Sequence, residues 1–331
     1  MENKIIDSDE DEKSLYEIIS SAVVNGELPQ NFSLPKDSED TASKWVDGAF
    51  DGISLYHFPK EALTEDKKER IIEAINFISV SYSDATDVFT ELVKNTRALS
   101  MVDFIQEYIL SHRDTLFPSF FRLYAWNLVQ NSDNTELVKI GLSLFEFFEL
   151  TEDEKNIVRT LALSDEFTFF AIFSMRLWEN SNNEIFEIAK KVYGWGRIHA
   201  VNYLKPDTPE IQEWFLNDAV HNNITSSYSA LECWKKSNAE ALLKSNLSRE
   251  KFSAIRDIIE GLVEMPEEGL SLLDNSEEII FTFLEKAREQ NLSDEDIVVV
   301  QAIHDYYNDE ENNNPEITKF CTKIIEKNHK P

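Results

Sequence analysis

Thr64-Glu65-Asp66-Lys67-Lys68-Glu69-Arg70-Ile71-Ile72-Glu73-Ala74-Ile75-Asn76-Phe77-Ile78 decides the fold class. Its isoleucines at 71, 72, 75 and 78 recur at three- and four-residue spacing, which sets them on one side of a helix. The same rhythm continues outward. Val88, Phe89, Leu92 and Val93 form a second stripe, and Val102, Ile105 and Ile109 a third. Phe117, Phe120, Phe121, Tyr124 and Leu128 form an aromatic fourth. Further on come Phe252, Ile255, Ile259 and Leu262, then Ile280, Phe283, Leu284 and Ala287. Nothing between residues 64 and 329 alternates with period two for long enough to demand a sheet. Helix should therefore exceed roughly 60% of residues, twice the usual share.

The breaks between stripes are short and carry cap chemistry. Thr151-Glu152-Asp153-Glu154 is a capping box, in which Thr and Glu satisfy free amide groups reciprocally. Thr208-Pro209-Glu210 and Asn314-Pro315-Glu316 set a capping oxygen before a proline at the first helical position. Helix starts also resemble one another: Thr135–Ile140, Asn183–Ile188 and Pro315–Phe320 share a Glu at the second place, a charged residue at the fifth and apolar residues at the third and sixth. The expectation is an all-α chain, an α-solenoid of HEAT-like helix pairs spanning residues 61–331. The rival is an irregular helical domain around one compact core.

Residues 1–60 read differently. A short helix over 11–25 carries Leu15, Ile18, Ile19 and Ala22 on one face and ends at Gly26. Pro29, Pro35, Pro59, Gly48 and Gly52 then break any sustained period. This predicts an N-terminal helix plus an irregular capping segment, with a short strand at Ile53–Phe58.

Composition narrows the function classes. With 42% hydrophobic residues and 22 Phe, 10 Tyr and 6 Trp, the chain supports a large core. Its 62 acidic residues against 32 basic give a formal charge of −30, spread along the chain, and no segment is basic. Such a surface repels phosphate backbones and anionic lipid, so neither nucleic acid nor membrane is an expected partner. Two cysteines, Cys233 and Cys321, make no metal-ligand spacing and read as buried thiols. The opening residues lack the pattern of a signal peptide, and no run is long enough to span a bilayer. The expected location is the cytoplasm.

Motifs of named chemistry do not form. Asp7-Ser8-Asp9-Glu10-Asp11 resembles the start of a calcium loop but lacks its glycine and its closing glutamate, so a frayed acidic terminus is the reading. The histidines at 57, 112, 199, 221, 304 and 329 make no HxxxH, HExxH or Cys-His pair, so no metal site is expected. Gly194-Trp195-Gly196 contains a Gly-x-Gly without the preceding strand that a pyrophosphate cradle needs. No catalytic residue and no cofactor is assigned.

Two stretches remain as candidate binding sites. Tyr193-Gly194-Trp195-Gly196-Arg197-Ile198-His199 reads as a sharp turn between helices with Trp195 as a packing lid. The alternative is an exposed patch of Trp195, Arg197 and His199, residue types common at binding hot spots. The second stretch, Trp45–Phe58, carries Asp47, Asp51 and His57. It either caps the first helix pair or lines a pocket.

With Phe32-Ser33-Leu34-Pro35, these stretches resemble a family of uncharacterised cytoplasmic proteins of Gram-positive bacteria. That family shares a Phe-Ser-Leu-Pro segment, an Asp-Gly-x-x-Leu-Tyr-His segment and a Gly-Trp-Gly-x-Ile-His segment. They stand here as Phe32–Pro35, Asp51–His57 and Gly194–His199. The resemblance implies HEAT-like helices and no established activity. Some members carry an automatic label of limonene hydroxylase, but no haem or dinucleotide motif in this sequence supports monooxygenase chemistry.

The leading functional expectation is a protein–protein interaction or scaffold module of unidentified partner. An enzyme whose polar residues converge only in three dimensions is the alternative, with Asp47, Asp51, His57, Arg197 and His199 as first suspects. A third reading is an acidic mimic of nucleic acid.

Overall fold

A computed structural model of the chain describes residues 13–35, 45–58 and 62–328. Among these residues there are 18 α-helices and no strand, and 67% of them are helical. The chain is all-α. The acidic stretch at Asp7–Asp11, together with Pro59 and His329, lies outside the described residues.

The chain forms two compact units, Met1–Gly196 and Arg197–Pro331. The described part of the N-terminal segment, expected to end at residue 60, lies within the first unit. The N-terminal segment belongs to the first unit because its two helices pack into that unit's core.

The first unit holds α1 (Leu15–Ala22), α2 (Ala49–His57), α3 (Glu65–Ile78), α4 (Tyr82–Val93) and α5 (Ala98–Ser111). It continues with α6 (Pro118–Asn131), α7 (Thr135–Phe145), α8 (Glu152–Leu161), α9 (Thr168–Met175) and α10 (Ser181–Ala189). The next helix, α11 (Trp195–Tyr203), begins in this unit. Consecutive helices pack on each other, α3 on α4 and α6 on α7, while α1 packs on α6 and α8. Ile71, Ile75 and Ile78 are buried as their spacing requires, and so are Phe89 and Leu92. Helix α7 is the centre: every residue from Glu136 to Phe145 is buried. Local cap chemistry starts these helices. Ser14 with Glu17 and Thr151 with Glu154 form complete capping boxes.

Two expectations fail here. Ile53–His57, expected in a strand, lies in α2. Gly48 takes a left-handed φ of 76° that turns the chain into the helix, and the Gly52 N–H closes the first turn on the Gly48 carbonyl at 2.9 Å. The aromatic stripe on α6 is also split. Phe121, Tyr124 and Leu128 are buried, but Phe117 is 62% exposed and Phe120 40%. The contact of α6 with α7 uses the face of Phe121, Tyr124, Ala125 and Leu128, and Phe120 sits one residue, or about 100°, off it.

The second unit holds the rest of α11, α12 (Pro209–Asn217), α13 (Ser227–Lys236), α14 (Ala239–Leu243) and α15 (Arg249–Glu264). It ends with α16 (Ser276–Glu289), α17 (Asp294–Asn308) and α18 (Pro315–Asn328). The stripes expected on α15 and α16 are its core, and Phe252 and Phe283 stack at 5.3 Å between ring centres. The Thr208 hydroxyl and the Asn314 side chain cap α12 and α18 ahead of their prolines. Cys233 and Cys321 are free and buried. No described helix is long and apolar enough to cross a membrane.

Candidate functional site

The first unit contains a buried charge network centred on Lys139 of α7. Its side chain is fully buried. Burying an ammonium without partners is prohibitive, so its three N–H groups must each find an acceptor. They do. Lys139 Nζ donates to Asp51 Oδ2 at 2.6 Å, to Glu136 Oε1 at 3.0 Å and to Glu166 Oε1 at 2.5 Å. Asp51 comes from α2, Glu136 from the first turn of α7, and Glu166 from the loop between α8 and α9. Glu136 also accepts from Arg97 Nη1 at 2.9 Å and from the Ala98 N–H at 2.6 Å, so its carboxylate caps α5. Glu166 Oε2 accepts from the Gly48 N–H at 2.5 Å.

Three carboxylates share one ammonium, and that imbalance shows in the acidities of Asp51 and Glu136. Burial, with the charges of Glu136 and Glu166, pushes the Asp51 carboxyl up against the pull of Lys139. Burial also acts upward on Glu136, but Lys139, Arg97 and the Ala98 N–H outweigh it and hold that carboxyl low. Lys139 is held well above its usual range, because its three carboxylates overcome the burial that would discharge it.

A further, half-buried carboxylate, Asp165, adjoins this network. Its Oδ1 accepts from the Gly194 N–H at 3.2 Å and the Gly196 N–H at 2.7 Å. Gly194-Trp195-Gly196, expected as a turn that interrupts two helices, is therefore the capped start of α11 with Trp195 as its first residue. Burial pushes the Asp165 carboxyl up to about 6, although the two glycine N–H groups pull it down. The indole of Trp195 lies against Gly52 so closely that a Cβ at position 52 would overlap it, and Tyr56 packs beside it with ring centres 6.0 Å apart.

These contacts locate the candidate residues. Asp51 is inside the network. Asp47 is half-buried and ties down the preceding segment, accepting from Ser33 Oγ at 3.2 Å and from the Leu34 N–H at 3.0 Å. His57 is exposed in the last turn of α2. Trp195, Arg197 and His199 are 2%, 6% and 3% exposed, so the alternative of an exposed Trp-Arg-His patch is not what the chain forms. Trp195 is a lid. Arg197, in the second unit, donates to the Asp218 carbonyl at 3.1 Å with its guanidinium 5.3 Å from the Trp214 ring. Burial pushes the His199 imidazole down to about 3.

Sequence reading missed Lys139, Glu136, Asp165 and Glu166. One signal was present: Lys139 interrupts a largely apolar run, Leu137–Phe145, that is too hydrophobic for a solvated face, and Glu136 directly precedes it. Among the described residues no group of three or more His, Cys, Asp or Glu side chains is placed to hold a metal ion. Chemically the network is saturated, since the Lys139 ammonium has no N–H left for a ligand. Its role is to lock the N-terminal segment onto α7 and the α8–α9 loop.

No family model matches the chain. No curated protein and no solved structure matches it either.

The accessible chemistry of the first unit lies elsewhere, on the outer face of α6. Phe117, Phe120 and Leu123 follow one another at three-residue spacing and are 62%, 40% and 56% exposed. Phe117 meets Phe120 edge to face, with ring centres 6.0 Å apart. Leu110, near the end of the preceding helix, is 57% exposed.

Proposed function

We propose that this chain is a cytoplasmic protein–protein interaction module built of HEAT-like helix pairs. The observation that carries the reading is the row of Phe117, Phe120 and Leu123 on the outside of α6. Each such side chain, about half in water, forgoes roughly 1 kcal/mol of further burial, which a bound partner restores. Clustered exposed aromatics mark association surfaces in folded proteins. The pairwise packing of α3 with α4, α6 with α7 and α17 with α18 is compatible with the repeat reading. The formal charge of −30 speaks for a protein partner over a nucleic acid.

The test replaces all three residues, Phe117→Ser, Phe120→Ser and Leu123→Ser, in one variant. Its unfolding midpoint should match the parent within about 1 kcal/mol, because exposed positions contribute little to the core. Affinity purification from the native host should lose whatever the parent retains. A partner held equally by both proteins would remove α6 from the reading.

A second reading, an enzyme, is favoured by one feature of the second unit. A cavity of about 410 Å³ there is lined by His221, Arg256, Asp257, Glu260 and Glu295. Burial pushes the Asp257 and Glu260 carboxyls up, and His221 Nε2 lies 3.5 Å from Asp257 Oδ2. Arg256, however, is engaged with Asp257 at 2.6 Å and Glu295 at 2.9 Å.

A further inference from the structure

Helix α18 packs on α16 and α17 through Ile317, Cys321 and Ile324. Its other face, with the C-terminal end of α16, walls a groove of about 510 Å³. Four cations line this groove: Arg288, Lys319, Lys323 and Lys327. A single carboxylate, Glu316, faces them. Leu292 and Phe320 make an apolar floor, and the Arg288 guanidinium stands 5.6 Å from the Phe320 ring.

The charge is out of character for the chain. Acidic residues outnumber basic ones 62 to 32, so a cation has many carboxylates to choose from. Lys244, Arg249 and Arg256 of the same unit each hold one or more ion pairs. None of the four groove cations pairs with a described carboxylate, although Glu316 and Glu326 lie three residues from Lys319 and Lys323. The helix dipole accounts for Lys327 in the last turn of α18. It does not account for Lys319 near the first turn. Lys319, Lys323 and Lys327 repeat every four residues and so form one row with steps of about 6 Å.

We infer that this groove binds an acidic amphipathic segment of a partner protein. Its apolar side chains would rest on Phe320 and Leu292, and its carboxylates, stepped at helical i, i+4 spacing, would meet the lysine row. A free inorganic anion is a poorer match, because the cations are strung along about 12 Å of helix rather than converging on one point. A nucleic acid would have to extend beyond a short groove across a strongly acidic chain. This surface belongs to the second unit and stands or falls separately from the α6 face.

The test is selection of random 16-residue peptides, displayed on phage, against the full chain. Selected peptides should be enriched in Asp and Glu interleaved with apolar residues. A synthetic peptide from the selection should bind about thirtyfold more weakly to a Lys319→Glu, Lys323→Glu, Lys327→Glu variant, and more weakly to the parent as salt rises. The same three positions changed to Gln should give a smaller loss, with an unchanged circular dichroism spectrum. The α6 triple-serine variant should bind it like the parent. Selected peptides without acidic enrichment, or equal binding to the Glu variant, would overturn the inference. So would displacement of the peptide by an equal concentration of oligothymidylate, or self-association of the parent that the Glu variant abolishes.

Discussion

Lys139 Nζ lies 2.6 Å from Asp51 Oδ2, joining two residues 88 positions apart in the chain. The bond fastens α2 to the buried helix α7, and Glu136 and Glu166 complete the ammonium's coordination. The attraction is strong only because both partners are out of water, and it offsets a desolvation cost of similar size. Such a network contributes less to net stability than to holding one arrangement of the N-terminal segment.

Lys139→Met should therefore destabilise the protein by about 3–5 kcal/mol at pH 7, because the buried Asp51 carboxyl loses its counter-charge and Glu136 and Glu166 lose a shared partner. Asp51, whose carboxyl burial already pushes up, would lose the pull of Lys139, so the native state would gain by taking up a proton there as pH falls. The deficit should shrink between pH 7 and pH 5, and adding Asp51→Asn should recover part of it. Urea denaturation at both pH values measures this. A midpoint unchanged by Lys139→Met would show that the network is not what holds α2.

Trp195 and Gly52 form a matched pair. Ala is ordinarily the better helix residue by about 1 kcal/mol, so Gly52→Ala should stabilise α2 if propensity ruled. Overlap of its Cβ with the indole reverses the sign, and a loss of about 1–3 kcal/mol is expected. Trp195→Ala should cost about 3–5 kcal/mol as a buried aromatic truncation. The two together should cost less than their sum, since the new methyl enters space the ring has left. Additive losses in a double-mutant cycle would mean that the two residues do not share that space.

His199 should make the protein sensitive to acid. Its folded pKa, pushed down to about 3 by burial, lies below the ordinary value of 6.5. The unfolded chain therefore takes up the proton first. The neutral, buried imidazole contributes stability that is fully present above about pH 6.5 and is lost as pH falls toward 3. Between pH 7 and pH 5 the parent should lose about 2 kcal/mol more than His199→Gln does. Parallel pH profiles for the two proteins would count against a buried neutral His199.

What the sequence determined by itself was everything governed by neighbours along the chain. Isoleucines at 71, 75 and 78 specify a buried helix face wherever that helix lies, and Thr151 with Glu154 starts α8 using atoms three residues apart. The all-α class follows from such local terms. The capping role of Asp165 did not, because its carboxylate reaches α11 from 29 residues away and converts an apparent Gly-Trp-Gly break into a helix start. Nor was α2 legible, because Gly52 reads as a helix breaker until the Trp195 ring fills the space a side chain would take. Phe117 and Phe120 share the spacing of a core stripe, and only the seating of α6 on α7 left them outside. Lys139 stood out only as a charge within an apolar run, and its partners stayed hidden until carboxylates from three segments closed around it. Periodicity reports which face of a helix is apolar, but which faces meet depends on contacts between distant segments, and those exist only once the chain has folded.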